Sequence, residues 1–251
     1  MTTLPMKLPN GLIEEQPPFV PRMVMSGRLK GALSEVSRQW QQRDAFAGLL
    51  KYGIRPLDRM LFFGPPGNGK TLTCYFLAKT LGVPIFRVLC NQLRGSHLGE
   101  TTRNVANLLD FLNAATAPSL CLFDEVESIF VDRRASVGEC DREIAAAMTI
   151  FMQALDRWKA PTLLVLATNL VGQIDEALLS RVELKLEFLG PTPEQAAELL
   201  NYWREILSDH GADDWGPVLA AQFAATLPDS FRALQQHVAC RAREWTARHL
   251  A

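Results

Sequence analysis

The sequence predicts an α/β fold: a parallel sheet with helices on both faces, followed by a small helical domain. Three observations carry this expectation. Short, continuous apolar runs alternate with stretches of helical spacing, as in a sheet buried on both faces. Three of those runs end in polar groups: a glycine-rich loop after Phe63, Asp124-Glu125, and Thr168-Asn169. Ligands of open parallel sheets sit at the carboxyl ends of strands, so three such ends imply one site. Beyond Gly190 the strands stop and only helical periodicity continues.

The elements follow in order. Residues 1–27 read as an extended or partly disordered arm, with five prolines before residue 22 and no continuous apolar secretion signal. Apolar side chains at helical spacing predict a helix over 28–50, and Gly53 and Pro56 then turn the chain. RMLFF (59–63) is the first strand. A helix over 70–81 stops at Gly82. PIFRVL (84–89) is the second strand, 101–115 a helix, SLCLF (119–123) the third strand and 141–158 a long helix. TLLVLA (162–167) and LKLEF (184–188) complete five strands. Thr192 and Gln195 form a capping box around Pro193, which opens helices over 193–208, 216–226 and 230–249. The expected division is an arm (1–27), an α/β domain (28–190) and a helical domain (191–251).

Composition narrows the function class. The chain has 251 residues, 48% apolar and 21% charged, with a net charge of −1, so no excess of positive charge argues for nucleic acid or anionic lipid. No apolar stretch approaches the roughly 18 residues of a membrane span. Five scattered cysteines without a CxxC pair read as reduced thiols in a cytoplasmic protein.

Gly64-Pro65-Pro66-Gly67-Asn68-Gly69-Lys70-Thr71 fits G-x-x-x-x-G-K-[ST]. Glycines let successive backbone N–H groups curl around phosphate oxygens, and the next helix offers its positive end to the same phosphates. Lys70 would reach the β- and γ-phosphates, the Thr71 hydroxyl would bind Mg²⁺, and Pro66, Gly67, Asn68, Gly69 and Leu72 complete the contact. Four fixed positions occur by chance in roughly one chain of this length in a hundred, and here a strand precedes them and a helix follows. After the third strand, Asp124 suits a metal-holding carboxylate and Glu125 the group that prepares the attacking water. Thr168-Asn169 leads into Leu170-Val171, so the NKxD-type base reader of guanine-nucleotide switches is missing there.

GPPGNGKT, LCLFDE and LVLATN in this order resemble the AAA branch of the AAA+ ATPases, over about residues 50–240. The resemblance implies a five-stranded parallel sheet of order 5-1-4-3-2, a helical lid, and a ring, usually of six subunits, with ATP between neighbours. It implies that Gly53-Ile54 approach the adenine pocket, that Asn169 orients the attacking water, and that Arg181 is a finger inserted into the neighbour's site. Arg232 matches the lid arginine that touches the γ-phosphate, and His97 and Leu98 stand in the first pore loop. The residues also allow plainer uses: a turn-capping amide for Asn169, a salt bridge from Arg181 to Glu183 or Glu176, a solvated helix end for Arg232, and a loop histidine of no special use for His97.

Three departures from the family pattern stand out. Asn68 replaces the usual threonine, at a position expected to contribute chiefly backbone. Ser180-Arg181 replaces R-P-G-R, so one arginine of a pair is missing. His97 stands where threading motors usually carry an aromatic residue. The implied activity is Mg²⁺-dependent hydrolysis of ATP to ADP by a motor that unfolds or dismantles a protein, as in the compact SpoVK-like and HORMA-remodelling bacterial ATPases. The short arm leaves recruitment to itself, the pore or an adaptor, and, with no HExxH or GxSxG present, any degradation would fall to a separate protease. The alternative is a DNA-handling clamp loader or initiator, with Arg232, Arg241, Arg243 and Arg248 on the last helix diluted by Glu244 and Asp229.

Overall fold

The computed structural model describes residues 8–16, 23–46, 48–95, 97, 99–129, 139–208 and 227–249. The expected helix over 216–226, and Leu98, lie outside them. The five expected strands are present: β2 (Arg59–Phe63), β3 (Ile85–Leu89), β4 (Ser119–Asp124), β5 (Thr162–Thr168) and β6 (Leu184–Glu187). They run parallel in the expected order. The sheet has a sixth strand, however. Leu12–Glu15 of the arm form β1, antiparallel to β3 at the sheet edge. Backbone pairing and the burial of Leu12 hold this short strand, while Ile13 stays exposed.

The pleat explains both covered faces. Leu61, Val88, Cys121, Phe123, Leu164 and Leu166 point to one side of the sheet. They pack there with α5 (Glu100–Asn113) and α6 (Glu139–Asp156). Met60, Phe62, Ile85, Leu120, Leu122 and Val165 point to the other, against α1 (Gly27–Gln41) and α3 (Lys70–Leu81). β5 is buried along its whole length, as a central parallel strand must be. The buried cysteines Cys74, Cys90 and Cys121 hold no disulfide.

The long first helix ends earlier than its periodicity predicts. Ser26 caps α1, and Leu29, Leu33, Val36 and Trp40 bury one stripe. The next turn, α2 (Arg43–Phe46), buries no residue, so nothing holds it in line with α1. After the sheet, α7 (Glu176–Leu179) precedes β6, and α8 (Pro193–Ser208) opens with the expected capping box. The Thr192 N–H donates to Gln195 Oε1 at 2.9 Å and the Gln195 N–H to Thr192 Oγ1 at 3.3 Å. α8 packs on α9 (Phe231–His249) through a small cluster of its own, Ala196, Leu234 and Val238. Among the described residues no helix is long and apolar enough to cross a membrane.

A buried cation ties the foot of the sheet. Arg59, 6% exposed, donates to both carboxylate oxygens of Glu183 and, at 2.9 Å, to the Leu155 carbonyl. Glu183 is thus committed to Arg59 and not to Arg181. Removing Glu183 leaves the buried guanidinium with only the more distant Asp58, at 3.6 Å, to offset its charge. Glu183→Gln is therefore expected to lower stability by about 1–3 kcal/mol in urea unfolding. Glu187→Gln, exposed on the same strand, should stay within about 0.5 kcal/mol of the parent.

Candidate active site

Strand register brings the polar ends together. Phe63, the last residue of β2, pairs with Thr168 on one side and Glu187 on the other. The loop that follows therefore starts beside Asn169. On the far side of β5, Phe123 pairs with Leu166, which brings Asp124 and Glu125 to the same edge.

The loop geometry requires its glycines. Gly64 has φ 132°, and a Cβ there would lie 2.3 Å from the Phe188 carbonyl oxygen. Gly67 (φ 81°) touches the helical region, where a Cβ would meet Arg232 Cβ at 2.9 Å. Gly69 (φ 90°) starts α3 without a side-chain cap, a helix start of the kind that suits an anion. Lys70 is nearly buried, and its ammonium donates to the carbonyls of Gly64 (2.6 Å) and Pro65 (3.0 Å). Burial pushes the Lys70 ammonium below the ordinary lysine range, against the opposing charges of Asp124 and Glu127. Thr71 is half-buried beside it, whereas Pro66 and Leu72 are exposed.

The carboxylates are held differently. Asp124 Oδ2 accepts two bonds from Arg87, at 2.6 and 3.1 Å, and Oδ1 accepts the Glu125 N–H at 3.2 Å. Glu125 is exposed and has φ 55°, ψ 48°, the left-handed region that side chains other than glycine rarely enter. Among the described residues no other non-glycine has positive φ. Such strain concentrates at functional sites. Asn169 is half-buried, and its N–H donates to Glu127 Oε1 at 3.2 Å, while Glu127 Oε2 is buried without a partner. Glu127 is a site residue that motif reading passed over. The third acid of DEVES was its only sequence signal.

Among the other expected residues, Asn68 departs from its expected role. Gly53 and Ile54 lie at the surface, Ile54 50% exposed, with open space around a Cβ on Gly53. A cavity lies beside the phosphate loop. It holds about 160 Å³ between Met23, Met25, Phe188 and Phe231, with Asn68 and Thr73 on the loop side. Asn68 contributes more than backbone. Its Oδ1 accepts the Phe231 N–H at 3.3 Å, and its Nδ2 is buried without a partner. The Arg232 N–H donates to the Gly67 carbonyl at 3.0 Å, so the start of α9 rests on the phosphate loop with the exposed Arg232 side chain beside it.

Arg181 is not brought to this site. It forms a two-pronged pair with Asp156, at 3.0 and 3.1 Å, and donates to the Ala177 carbonyl at 2.8 Å. Its partner is thus neither Glu183 nor Glu176. His97 is exposed between α4 (Cys90–Leu93) and α5, its N–H donating to Glu100 Oε2 at 3.1 Å.

The family described as "ATPase family associated with various cellular activities (AAA)" matches residues 60–189, just over half of the chain. The chain belongs to the AAA family of ATPases. It is 35% identical over 141 residues to an uncharacterised AAA family ATPase, y4kL, of Sinorhizobium fredii, covering 56% of this chain and 42% of that one. It is 33% identical over 150 residues to a putative 26S proteasome regulatory subunit homolog of Methanothermobacter thermautotrophicus, covering 59% and 40%. This chain thus spans about two fifths of the length of these curated relatives. The solved FIGL-1 AAA domain in complex with ADP shares the fold, with a TM-score of 0.59 at 22% identity over 77% of this chain and 63% of that one.

The residues fit an ATP-binding site. An uncapped helix start and left-handed glycines suit phosphates, and a slot walled by methionine and phenylalanine suits a flat base. Hydroxyl and carboxylate oxygens suit Mg²⁺. No group of three His, Cys, Asp or Glu among the described residues could hold a metal alone. Magnesium commonly binds through one or two protein oxygens together with substrate phosphates. Gly64→Ala is expected to weaken binding of a fluorescent ATP analogue at least about tenfold, the equivalent of 1.4 kcal/mol. Gly53→Ala should leave that affinity unchanged in the same titration.

Proposed function

We propose that this chain is the ATP-hydrolysing engine of a ring, of six copies in the family's usual form, that unfolds or dismantles a protein. The observation that carries the reading is the convergence of three strand ends on one phosphate loop, with Arg181 held away from it. Lys70 and the loop N–H groups bind the β- and γ-phosphates. Thr71 and Asp124 would hold Mg²⁺, which when bound offsets the negative charge of the phosphates. Glu125 accepts a proton from the water that attacks the γ-phosphorus, and Asn169 orients that water. The bond from the γ-phosphorus to the bridging oxygen breaks, and ADP keeps the electron pair. The base lies in the slot bounded by Met25, Phe188 and Phe231.

Arg181 acts on a neighbour's γ-phosphate, and Asp156 holds its guanidinium ready at the subunit surface. Arg232 reports nucleotide state to the helical domain (191–251), because its own N–H already rests on Gly67. His97 and Leu98 engage the protein substrate in the pore, and delivery to a separate protease or recruitment through an adaptor follows the pattern that the proteasome-type relatives suggest. The net charge of −1 supports a protein substrate over nucleic acid, and the scattered cysteines without a CxxC pair support a cytoplasmic engine.

Glu125→Gln is expected to retain ATP binding and lose at least about 100-fold in turnover, measured by phosphate release. Ordinary turnover by this variant would refute the assignment of the base. Arg181→Ala and Lys70→Ala chains, each inactive alone, should regain partial activity when mixed, because each supplies what the other lacks. Absence of any recovery would count against a finger acting between subunits.

A further inference from the structure

We infer that Glu15 and Arg87 are positioning residues for Asp124, and that the seating of β1 thereby sets how readily the site takes up its divalent cation. The inference rests on the reading of Asp124 as the metal-holding carboxylate.

The geometry comes from strand register. Arg87 is central on β3, opposite Ile13 of β1 and Leu122 of β4. Glu15 and Asp124 each lie two residues beyond those partners, so both share the face of Arg87 and flank it on opposite diagonals. Arg87 divides its donors between them. Nε and Nη2 go to Asp124 Oδ2, and Nη1 goes to Glu15 Oε1 at 3.2 Å. Tyr75, on the helix that begins at the phosphate loop, donates its hydroxyl to the other oxygen of Glu15. Burial and the bond to Glu15 both keep that hydroxyl protonated. All three charged side chains are mostly covered: 30% of Arg87, 19% of Glu15 and 16% of Asp124 is exposed.

The charges define what the arrangement does. Arg87 alone would neutralise Asp124 and repel a divalent cation. Glu15 offsets that cation and takes one of its donors, so the trio keeps one net negative charge beside the phosphate loop. Glu15 is held in place by β1, which depends on Leu12 burial, on its pairing with β3 and on the Gly11 carbonyl accepting the Leu89 N–H at 2.9 Å. A force or partner that lifts this edge strand removes Glu15 and leaves Arg87 wholly on Asp124. The metal-dependent step is thereby coupled to the state of the arm.

The test is a titration of Mg²⁺ into the chain with a fluorescent ATP analogue, reading half-saturation by Mg²⁺, beside the analogue's affinity in EDTA. Glu15→Gln is expected to raise half-saturation roughly three- to tenfold at low salt and to leave the EDTA affinity unchanged. Leu12→Ser, which lifts the strand without altering charge, should shift it in the same direction. In an Arg87→Gln background, Glu15→Gln should have no further effect. An unchanged half-saturation in Glu15→Gln, a shift that persists without Arg87, or an equal loss of affinity in EDTA would overturn the inference. Asp124→Asn separates the two levels. If it keeps the full Mg²⁺ response, the reading of Asp124 fails. If it loses the response while Glu15→Gln behaves as the parent, only the coupling fails.

Discussion

The register of β2 against β5 is the constraint on which the rest of the site depends. Opposing Phe63 to Thr168 ends two strands at one level, so a loop that must bind phosphate leaves the sheet beside Asn169. The β4–β5 register then fixes where Asp124 and Glu125 emerge. Parallel strands hold such alignment firmly, because a shift by one residue would turn apolar side chains such as Met60, Phe62 and Val165 to the wrong face. A buried sheet thus acts as a ruler for groups that are themselves exposed or half-buried.

Around this edge, backbone conformation does much of what side chains do elsewhere. Gly64 packs its backbone on Phe188, and Gly67 packs on the start of α9, at distances that admit no side chain. Glu125 accepts a left-handed backbone directly after the strand ends. Side-chain polarity then links the loop to its surroundings. Asn68 and Gly67 accept the first N–H groups of α9, so groups that a helix start usually leaves open are tied to the phosphate loop. Any movement of the loop on nucleotide exchange must therefore be felt by α9.

The sequence made the strands and the phosphate loop legible because both are local signals. A continuous apolar run such as TLLVLA can be buried on both faces only in a sheet, and a glycine loop between strand and helix has few other uses. What escaped depends on partners distant in the chain. β1 is four residues with two acids, LIEE, and becomes a strand only because β3 offers an open edge. The partners of Arg87 and Arg181, Glu15 with Asp124 and Asp156 respectively, lie 25 to 72 residues away along the chain. Gly53-Ile54 are tied to the base by the family resemblance alone. The walls of the cavity beside the phosphate loop come from the segment before α1, the end of β6 and the start of α9, which no local pattern joins. Asn68 looked like a neutral replacement until a buried amide and a helix N–H gave it a role.

The most direct test of the central claim, one nucleotide site assembled from these separate segments, is hydrogen exchange followed by mass spectrometry on the Glu125→Gln chain, with and without ATP and Mg²⁺. The account predicts joint protection of residues 64–72, 23–29 and 229–234, with the turn at 49–54 unchanged. Protection confined to 49–54, or a phosphate loop that exchanges equally with and without nucleotide, would contradict it.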